Sequence, residues 1–329
     1  MLKLWSICRN AFLQTIRQPV YIVMILLTFG VLVFTLPFSG YTMSVDYEKS
    51  DQEFLENLGL ATLRISSMLI AAFSAAGVLR REIEEKTALI VISKPVSRAV
   101  FVLGRFFGVA GAVALAYYLC SLAYLMTVRH HVVPARSNPI DWPVIVIGFS
   151  ALTLAILTSL LGNRWFGWPF TSSGVWAGTL LLTAAMVAIG FVGKGWRIVP
   201  FGQGLSRQLL LELMMMLMAV VMFVALAVAA SARLGQAMTM LVCVVIFVLG
   251  SVHPMIFARW GETYPAVRVL GWLAPNFSHF YPQDDLRVGW YLPLDVVGFA
   301  AVYFVLYTAG LLGLAVALFE TRELSEQGA

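Results

Sequence analysis

Eight long apolar stretches constrain this chain more than any other feature of its sequence. The hydrocarbon core of a bilayer is about 30 Å thick, so a helix needs roughly 20 apolar residues to cross it. Each of the eight stretches is close to that length. They lie at residues 20–38, 59–79, 107–128, 143–162, 173–193, 208–232, 237–258 and 294–319. The pattern predicts an all-α integral membrane protein, a polytopic helix bundle with about eight transmembrane helices.

The composition favours a lipid environment over a soluble fold. Of the 329 residues, 60% are hydrophobic and 12% are charged, whereas soluble domains carry about 25% charged residues. The core of a soluble protein stops growing with chain length, so it could not hide this much apolar surface. The net charge of +5 is therefore interpreted as loop charge that sets membrane orientation, with no nucleic-acid partner. Three scattered cysteines indicate neither a disulfide framework nor a zinc site.

The charges of the first loops predict how the chain is threaded through the membrane. Residues 1–18 carry three basic residues and no acid, the loop 39–58 carries five acids against one lysine, and the segment 80–106 carries six basic residues. Because basic loops stay in the cytoplasm, we place the N-terminus there, and eight crossings return the C-terminus to the same side. The basic residues of the predicted outer loop 194–207 argue against this orientation for the middle of the chain.

The whole chain, residues 1–329, is interpreted as one transmembrane permease domain with two segments at the membrane surface. Residues 1–18 are predicted to form an interfacial helix, with a soluble leader as the alternative. Its apolar face is formed by Leu4, Trp5, Cys8, Phe12 and Ile16. The first apolar run is too long for a cleavable signal and is expected to stay as an anchor. The aromatic-rich residues 259–293 are predicted to be an outer interfacial or shallow re-entrant segment.

The stretch from Arg81 to Gly108 is the most informative for function, and it reads REIEEKTALIVISKPVSRAVFVLGRFFG. Its first half has helical character, with acidic and apolar residues interleaved. Pro95 disfavours helix at Lys94 and breaks the run. Ser97 can then cap a new helix that leads into the third span. The cytoplasm therefore meets a charged helix, a break and a re-entry, which suits the docking of another protein.

Three segments of the chain carry a resemblance to a known family. In the stretch above, the residues concerned are Glu82-Ile83-Glu84, Thr87, Ser93-Lys94-Pro95-Val96-Ser97-Arg98 and Gly104-Arg105. The other two segments are Ala230-Ser231-Ala232-Arg233-Leu234-Gly235 and Ala317-Leu318-Phe319-Glu320-Thr321-Arg322-Glu323-Leu324. Together they resemble bacterial ABC transporter permeases of the type-2 exporter class, in which the first segment is the cytoplasmic coupling region. Members of that class commonly have six spans, so residues 129–207 are interpreted as an insertion of two spans.

The resemblance implies that this chain forms a translocation path while a separate cytoplasmic ABC ATPase supplies the energy. Closure of two ATPases would rock two permease subunits, as a homodimer or heterodimer, in the bacterial inner membrane. The residues implied in ATPase coupling are Glu82, Glu84, Glu85, Thr87, Lys94, Pro95, Ser97 and Arg98. Taken without the resemblance, the three glutamates would be interpreted as an ordinary solvated helix face.

The sequence contains no P-loop with which to bind ATP itself. The pattern G-x-x-x-x-G-K-[ST] does not occur, and the run from Gly190 to Gly195 lacks both its spacing and its hydroxyl. ATP and Mg²⁺ are therefore expected on the partner ATPase, and this chain is expected to bind no cofactor. No arrangement of nucleophile and base, or of paired acids, indicates an enzyme.

Three ionisable residues, Arg64, Glu212 and Asp295, fall within or beside the predicted spans, all in the outer third of the bilayer. Charged groups at membrane depth usually pair or face a cavity. One hypothesis is that Arg64 pairs with Glu212 or Asp295 and closes an outer gate, and the alternative is snorkelling to the headgroups. The four histidines and the methionine-rich sixth span show no tight ligand spacing, so no metal site is predicted.

Two other classes of function compete with the exporter. An ATP-independent secondary transporter predicts inverted repeats and helices interrupted near the midplane, and the sequence shows no clear repeat. A non-transporting membrane scaffold or sensor predicts a sizeable soluble domain, and none is evident. Nothing in the sequence selects a substrate.

Overall fold

The computed structural model describes residues 2–38, 47–84, 97–131, 140–202, 206–261, 263–281 and 292–326, and these parts are almost entirely helical. The longer helices are α1 (Leu2–Ile16), α2 (Pro19–Phe38), α3 (Tyr47–Glu84), α4 (Arg98–His130), α5 (Trp142–Phe166), α6 (Phe170–Phe191), α7 (Arg207–Ser231), α8 (Gln236–Ser251), α9 (Pro265–Leu273) and α10 (Leu294–Glu326). The shorter pieces are the antiparallel strands β1 (Val192–Gly193) and β2 (Arg197–Ile198), the 3-10 turns Lys194–Trp196 and Phe277–Phe280, the π-helical turn Pro254–Ala258 and the helical turn Arg259–Gly261.

The helices match the predicted apolar stretches one for one. In the described parts of the chain, seven helices are long and apolar enough to cross a membrane, namely α2, α3, α4, α5, α6, α7 and α10. The predicted stretch 237–258 corresponds to α8 and the piece Pro254–Gly261, which meet at a bend of 63°. The predicted class, an all-α polytopic membrane protein, is confirmed.

A three-residue turn separates α5 from α6 and makes them a helical hairpin. Gly167 ends α5 with a φ of +67°, a left-handed conformation that side chains disfavour. The Asn163 side-chain amide donates to the Trp168 carbonyl at 2.6 Å, and the Trp168 ring lies against Gly162. The two helices then pack along their lengths. The prediction of two separate helices in this stretch is confirmed.

The chain divides into two compact units that each combine distant parts of the sequence. Unit 1 consists of residues 1–15, 68–114 and 208–329, and unit 2 consists of residues 16–67 and 115–207. The predicted insertion 129–207 falls entirely in unit 2, together with α2 and the first part of α3. Whether residues 129–207 are an addition to a six-span core, and whether the chain acts as one domain, stay predictions.

Small residues of α4 bring α1 close to it in unit 1. A Cβ added at Gly108 would collide with the carbonyl oxygen of Cys8, and it would lie 2.7 Å from the Cβ of Ala11. At Gly104, an added Cβ would lie 2.9 Å from a methyl carbon of Ile7. Glycine at such positions lets two helix backbones approach closely. Gly104 and Gly108 thus allow the close contact of α4 with α1.

Replacing Gly108 by leucine is expected to lower the free energy of unfolding by about 1–3 kcal/mol, because the new side chain overpacks a contact that involves backbone atoms of α1. The measurement is reversible unfolding of the purified chain in mixed micelles. Gly30→Leu on α2 is the matched control, since an added Cβ there meets no atom of the described residues within 4 Å. Leucine favours helix over glycine by about 0.8 kcal/mol, so the control should be neutral or stabilised. Equal stability of the two variants would contradict the contact.

The chain after α8 turns back against the helices of unit 1. Phe277 is fully buried, and its ring lies 6.1 Å from that of Phe223 on α7 and 6.4 Å from that of Phe247 on α8. The ring also rests on Gly250, where a Cβ would collide with it. His253 Nε2 donates to the Gly271 carbonyl at 2.9 Å, which ties the bend after α8 to the end of α9. Residues 259–261 and 263–281 of the predicted segment 259–293 are therefore anchored against α7 and α8. The depth of the segment in the membrane stays a prediction.

Candidate functional site

The predicted coupling residues that the structure describes lie directly before and directly after residues 85–96, which it does not describe. Glu85, Thr87, Lys94 and Pro95 are outside the described residues. Glu82 and Glu84 belong to the last turn of α3, and α4 begins at Arg98, directly after Ser97, as predicted. The Phe101 N–H donates to the Ser97 carbonyl at 3.1 Å, which closes the first turn of α4.

Arg105 links the first turns of α4 to α3. Its side chain is buried, and one guanidinium nitrogen, Nη2, donates to the Ala75 carbonyl at 3.4 Å. Arginine keeps its charge in such a position, and a hydrogen bond donated by a charged group is stronger than one between neutral groups. The α3 and α4 ends that flank the predicted coupling segment are therefore joined to each other within unit 1.

The end of α10 meets the same region of unit 1. The ring of Phe319 stacks on that of Phe101, with the centroids 5.5 Å apart. The Arg233 side chain, in the turn between α7 and α8, donates from Nε to the Leu318 carbonyl at 3.0 Å. Residues within or beside all three segments that carry the family resemblance thus come together. Phe101 lies between Arg98 and Gly104 of the first segment, Arg233 belongs to the second, and Leu318 and Phe319 belong to the third. We call this set, Phe101, Arg105, Arg233, Leu318 and Phe319, the junction.

The three predicted intramembrane charges belong to different compact units. Arg64 is in unit 2, whereas Glu212 and Asp295 are in unit 1. Helix α3 begins at Tyr47 and not near residue 59, so Arg64 lies midway along the apolar section Asp51–Gly77 and not near its end. Asp295 is exposed in the first turn of α10, where an acidic side chain stabilises the helix N-terminus. The pairing of Arg64 with Glu212 or Asp295 stays a prediction.

Sequence reasoning missed a buried ion pair in unit 2. Arg129 Nη1 lies 3.2 Å from Asp141 Oδ2, and the two side chains are 9% and 0% exposed. The pair joins the end of α4 to the residue before α5. Asp141 precedes an apolar stretch and Arg129 follows one, so a search for opposite charges at neighbouring span ends could have suggested it.

Polar groups gather around this ion pair. Gln52 Nε2 on α3 donates to the Glu56 carboxylate at 2.9 Å and lies 3.4 Å from the Val128 carbonyl. Burial lowers the pKa of His131, and the positive charges of Lys194 and Arg129 lower it further. Lys194 is therefore close enough to His131 for their charges to interact. This cluster, which includes Arg129 and Asp141, forms one polar end of unit 2.

A second polar group lies in unit 1 beside α10. The Asn276 N–H donates to the Tyr303 hydroxyl at 2.9 Å, and the Asn276 side chain accepts a bond from the Ser278 N–H at 3.0 Å. The His279 ring meets that of Tyr303 edge-on at 5.2 Å, and burial together with His253 lowers the pKa of His279. No cluster of three or more His, Cys, Asp and Glu side chains suited to a metal ion occurs among the described residues.

Comparison with known proteins assigns no family and no function to these sites. No protein-family model, no curated protein and no solved structure matches this chain. The fold and the hydropathy of its helices define a multi-pass membrane protein.

Proposed function

We propose that this chain is the membrane-spanning permease subunit of an ATP-driven exporter of the ABC class. It would work as a dimer of permease subunits in a bacterial inner membrane, with both termini in the cytoplasm. A separate ABC ATPase would bind ATP and Mg²⁺ and dock on the segment 80–106, and the chain itself would catalyse no reaction. The proposal does not specify a substrate.

The junction supports this proposal. The three segments that resemble type-2 exporters are far apart in the sequence, yet residues in or directly beside them contact one another in unit 1 through the Phe101–Phe319 stack and the Arg233–Leu318 hydrogen bond. A chance resemblance gives no reason for the three segments to meet. A common role of the three segments at the predicted cytoplasmic end of the helices would explain why they meet.

The contacts of α3 and α4 suggest how motion of a docked ATPase would pass into the membrane. The predicted docking segment connects α3 to α4, and Arg105 links these helices directly. Helix α4 is further held to α1 through Gly104 and Gly108 and to α10 through Phe101. A push on the segment would thus act on four helices of unit 1 together, and rigid helices carry such displacements over their full length.

Co-purification tests the proposal. The chain is solubilised from its native membrane in mild detergent, and the proteins that accompany it are identified for the native chain and for a variant in which Glu82, Glu84 and Glu85 are alanine. We expect an ATP-binding subunit with the native chain and its loss from the variant, because the acids would supply charged contacts to the ATPase. Glu53→Ala, an exposed acid near the other end of α3, is the control and should retain the subunit.

Each other result has a defined meaning. An ATPase that stays with the triple variant would leave the permease role standing and would remove the three acids from the docking site. If no ATPase accompanies the native chain under conditions that preserve membrane complexes, the proposal is wrong, and the ATP-independent secondary transporter becomes the leading alternative.

A further inference from the structure

Two adjoining apolar cavities lie between α2, α4, α5 and α6 in unit 2. The larger has a volume of about 210 Å³ and is lined at one end by His130, so we call it the His130 cavity. The smaller, the Ser159 cavity, has a volume of about 90 Å³. Three side chains, Phe29, Leu152 and Leu182, line both, so the cavities follow one another along the helices.

The dimensions of the two cavities suit one long hydrocarbon chain. Val144 lines the His130 cavity and Ser159 the other, and fifteen residues of helix α5 between them span about 22 Å. Half of a bilayer core is about 15 Å thick, so the cavities together extend at least as far as one lipid tail. The polar lining groups Ser159 and Thr127 donate to the carbonyls of Phe170 and Ala123, which leaves the middle of the path apolar.

His130 places one polar atom at the end of this path. The residue is 5% exposed, and its Nδ1 donates to the His131 carbonyl at 2.9 Å. Its other ring nitrogen, Nε2, is buried and has no hydrogen-bond partner among the described residues. A buried polar atom without a partner is costly, so the site is suited to a ligand group that bonds Nε2. A hydroxyl donates to the neutral ring, and a phosphate accepts from the protonated ring.

Charged side chains of both signs lie near His130, so a head group would meet basic and acidic partners. Asp141 pairs with Arg129, and on α3 the Glu56 carboxylate accepts the bond from Gln52. Basic side chains are added by the hairpin that follows α6, where Lys194 and Arg197 lie, and the part of this hairpin from Lys194 to Trp196 contacts α5. Because α6 runs back along α5 after the turn at Gly167, this hairpin lies beside the start of α5, next to Asp141 and hence to the end of α4.

We propose that unit 2 binds one lysophospholipid, with its acyl chain in the two cavities and its glycerol phosphate at His130 and the basic hairpin. A single chain fits because the Ser159 cavity is narrow, and the glycerol hydroxyl and the phosphate match the ring nitrogen and the basic side chains. The site does not depend on the export function, because no residue of the junction or of the segment 80–106 takes part in it.

Equilibrium binding of tritiated palmitoyl lysophosphatidylglycerol to the full chain in phosphatidylcholine nanodiscs tests the site. Gly148 lines the His130 cavity, so Gly148→Leu should fill it and weaken binding at least about tenfold, the effect expected from lost chain burial. Gly30→Leu, the control on the outer face of α2, should change binding less than about twofold. His130→Phe keeps the ring volume and loses Nε2, and it should weaken binding about tenfold. His130→Gln keeps a hydrogen-bonding group and should recover part of the loss.

The probe and the second cavity provide independent checks. Palmitoyl lysophosphatidylcholine, which has the same chain without net charge, should bind more weakly than the anionic probe. Ala155→Leu fills the Ser159 cavity and should shorten the preferred acyl chain, which remains measurable even if Gly148→Leu does not fold. Binding that is unchanged in Gly148→Leu and Ala155→Leu, or equal for native and His130→Phe chains, overturns the proposal. Loss of the ATPase partner alone would leave the binding result unaffected.

Discussion

Replacing Arg129 by methionine is expected to lower the free energy of unfolding by about 3–5 kcal/mol, because the change leaves the Asp141 carboxylate buried without its partner. The two side chains are almost completely enclosed, so water cannot restore the lost contact. Asp141→Leu should be costly for the same reason. Reversible unfolding in mixed micelles measures both effects.

The double variant separates the cost of leaving one buried charge unpaired from the net contribution of the ion pair. With Arg129→Met and Asp141→Leu combined, no buried charge remains, and apolar replacements of a buried ion pair are often neutral. We expect the double variant to return to within about 1 kcal/mol of the native chain, which is far from the sum of the single changes. Arg197→Met, an exposed arginine on β2, should change stability by less than about 0.5 kcal/mol. Additive single effects would show that the side chains do not interact.

Replacing Phe277 by alanine is expected to cost about 3–5 kcal/mol, the usual penalty for removing a fully buried aromatic ring. The ring fills the space between Phe223, Phe247 and Gly250, and a cavity would remain because residues of α7 and α8 surround it. The loss should release the 3-10 turn Phe277–Phe280 from α7 and α8. Faster hydrogen exchange in the turn would report that release separately from global unfolding.

Phe107→Ala is the matched control for this prediction. Phe107 lies on α4, in the same unit, but its side chain is 52% exposed. Its removal deletes the same atoms and leaves no enclosed cavity, so the cost should stay below about 1 kcal/mol. If the two variants lose equal stability, the segment after α8 is not anchored by Phe277.

The long elements of this fold were predictable because hydropathy and length determine them. The turn at Gly167 and the start of α4 after Ser97 follow from local chemistry that a single sequence displays. The choice between lipid and protein contact was not predictable, since a lipid tail is as apolar as a leucine side chain. On α1, Trp5 belongs to the predicted apolar face yet stays 67% exposed, whereas Ala11 is buried against Gly108.

The candidate sites also combine features that the local sequence displays with contacts that only the tertiary structure shows. The resemblance identified three segments, and their contacts at Phe101 and Phe319 required the tertiary structure. The Arg129–Asp141 pair was missed although it joins the ends of two consecutive helices. The cavities near His130 could not be predicted, because four helices line them and α2 is distant in sequence from the other three. A histidine next to an arginine at the end of a span carries no local signal of a binding site. Hydropathy shows that the residues lining the cavities are apolar, but it does not show that the packed helices leave a cavity between them.

Helix α10 has an uneven distribution of contacts with a mechanical consequence. Only 11% of its apolar section is buried within the described protein, yet Tyr303 is bonded to Asn276 near one end, and Leu318 and Phe319 are held by Arg233 and Phe101 near the other. The two attachments are about 24 Å apart along the helix axis. Between these attachments only Thr308 and Ala315 are buried. A rod that is fastened near both ends and has so few buried residues between them acts as a strut, so a tilt imposed at one attachment is transmitted to the other.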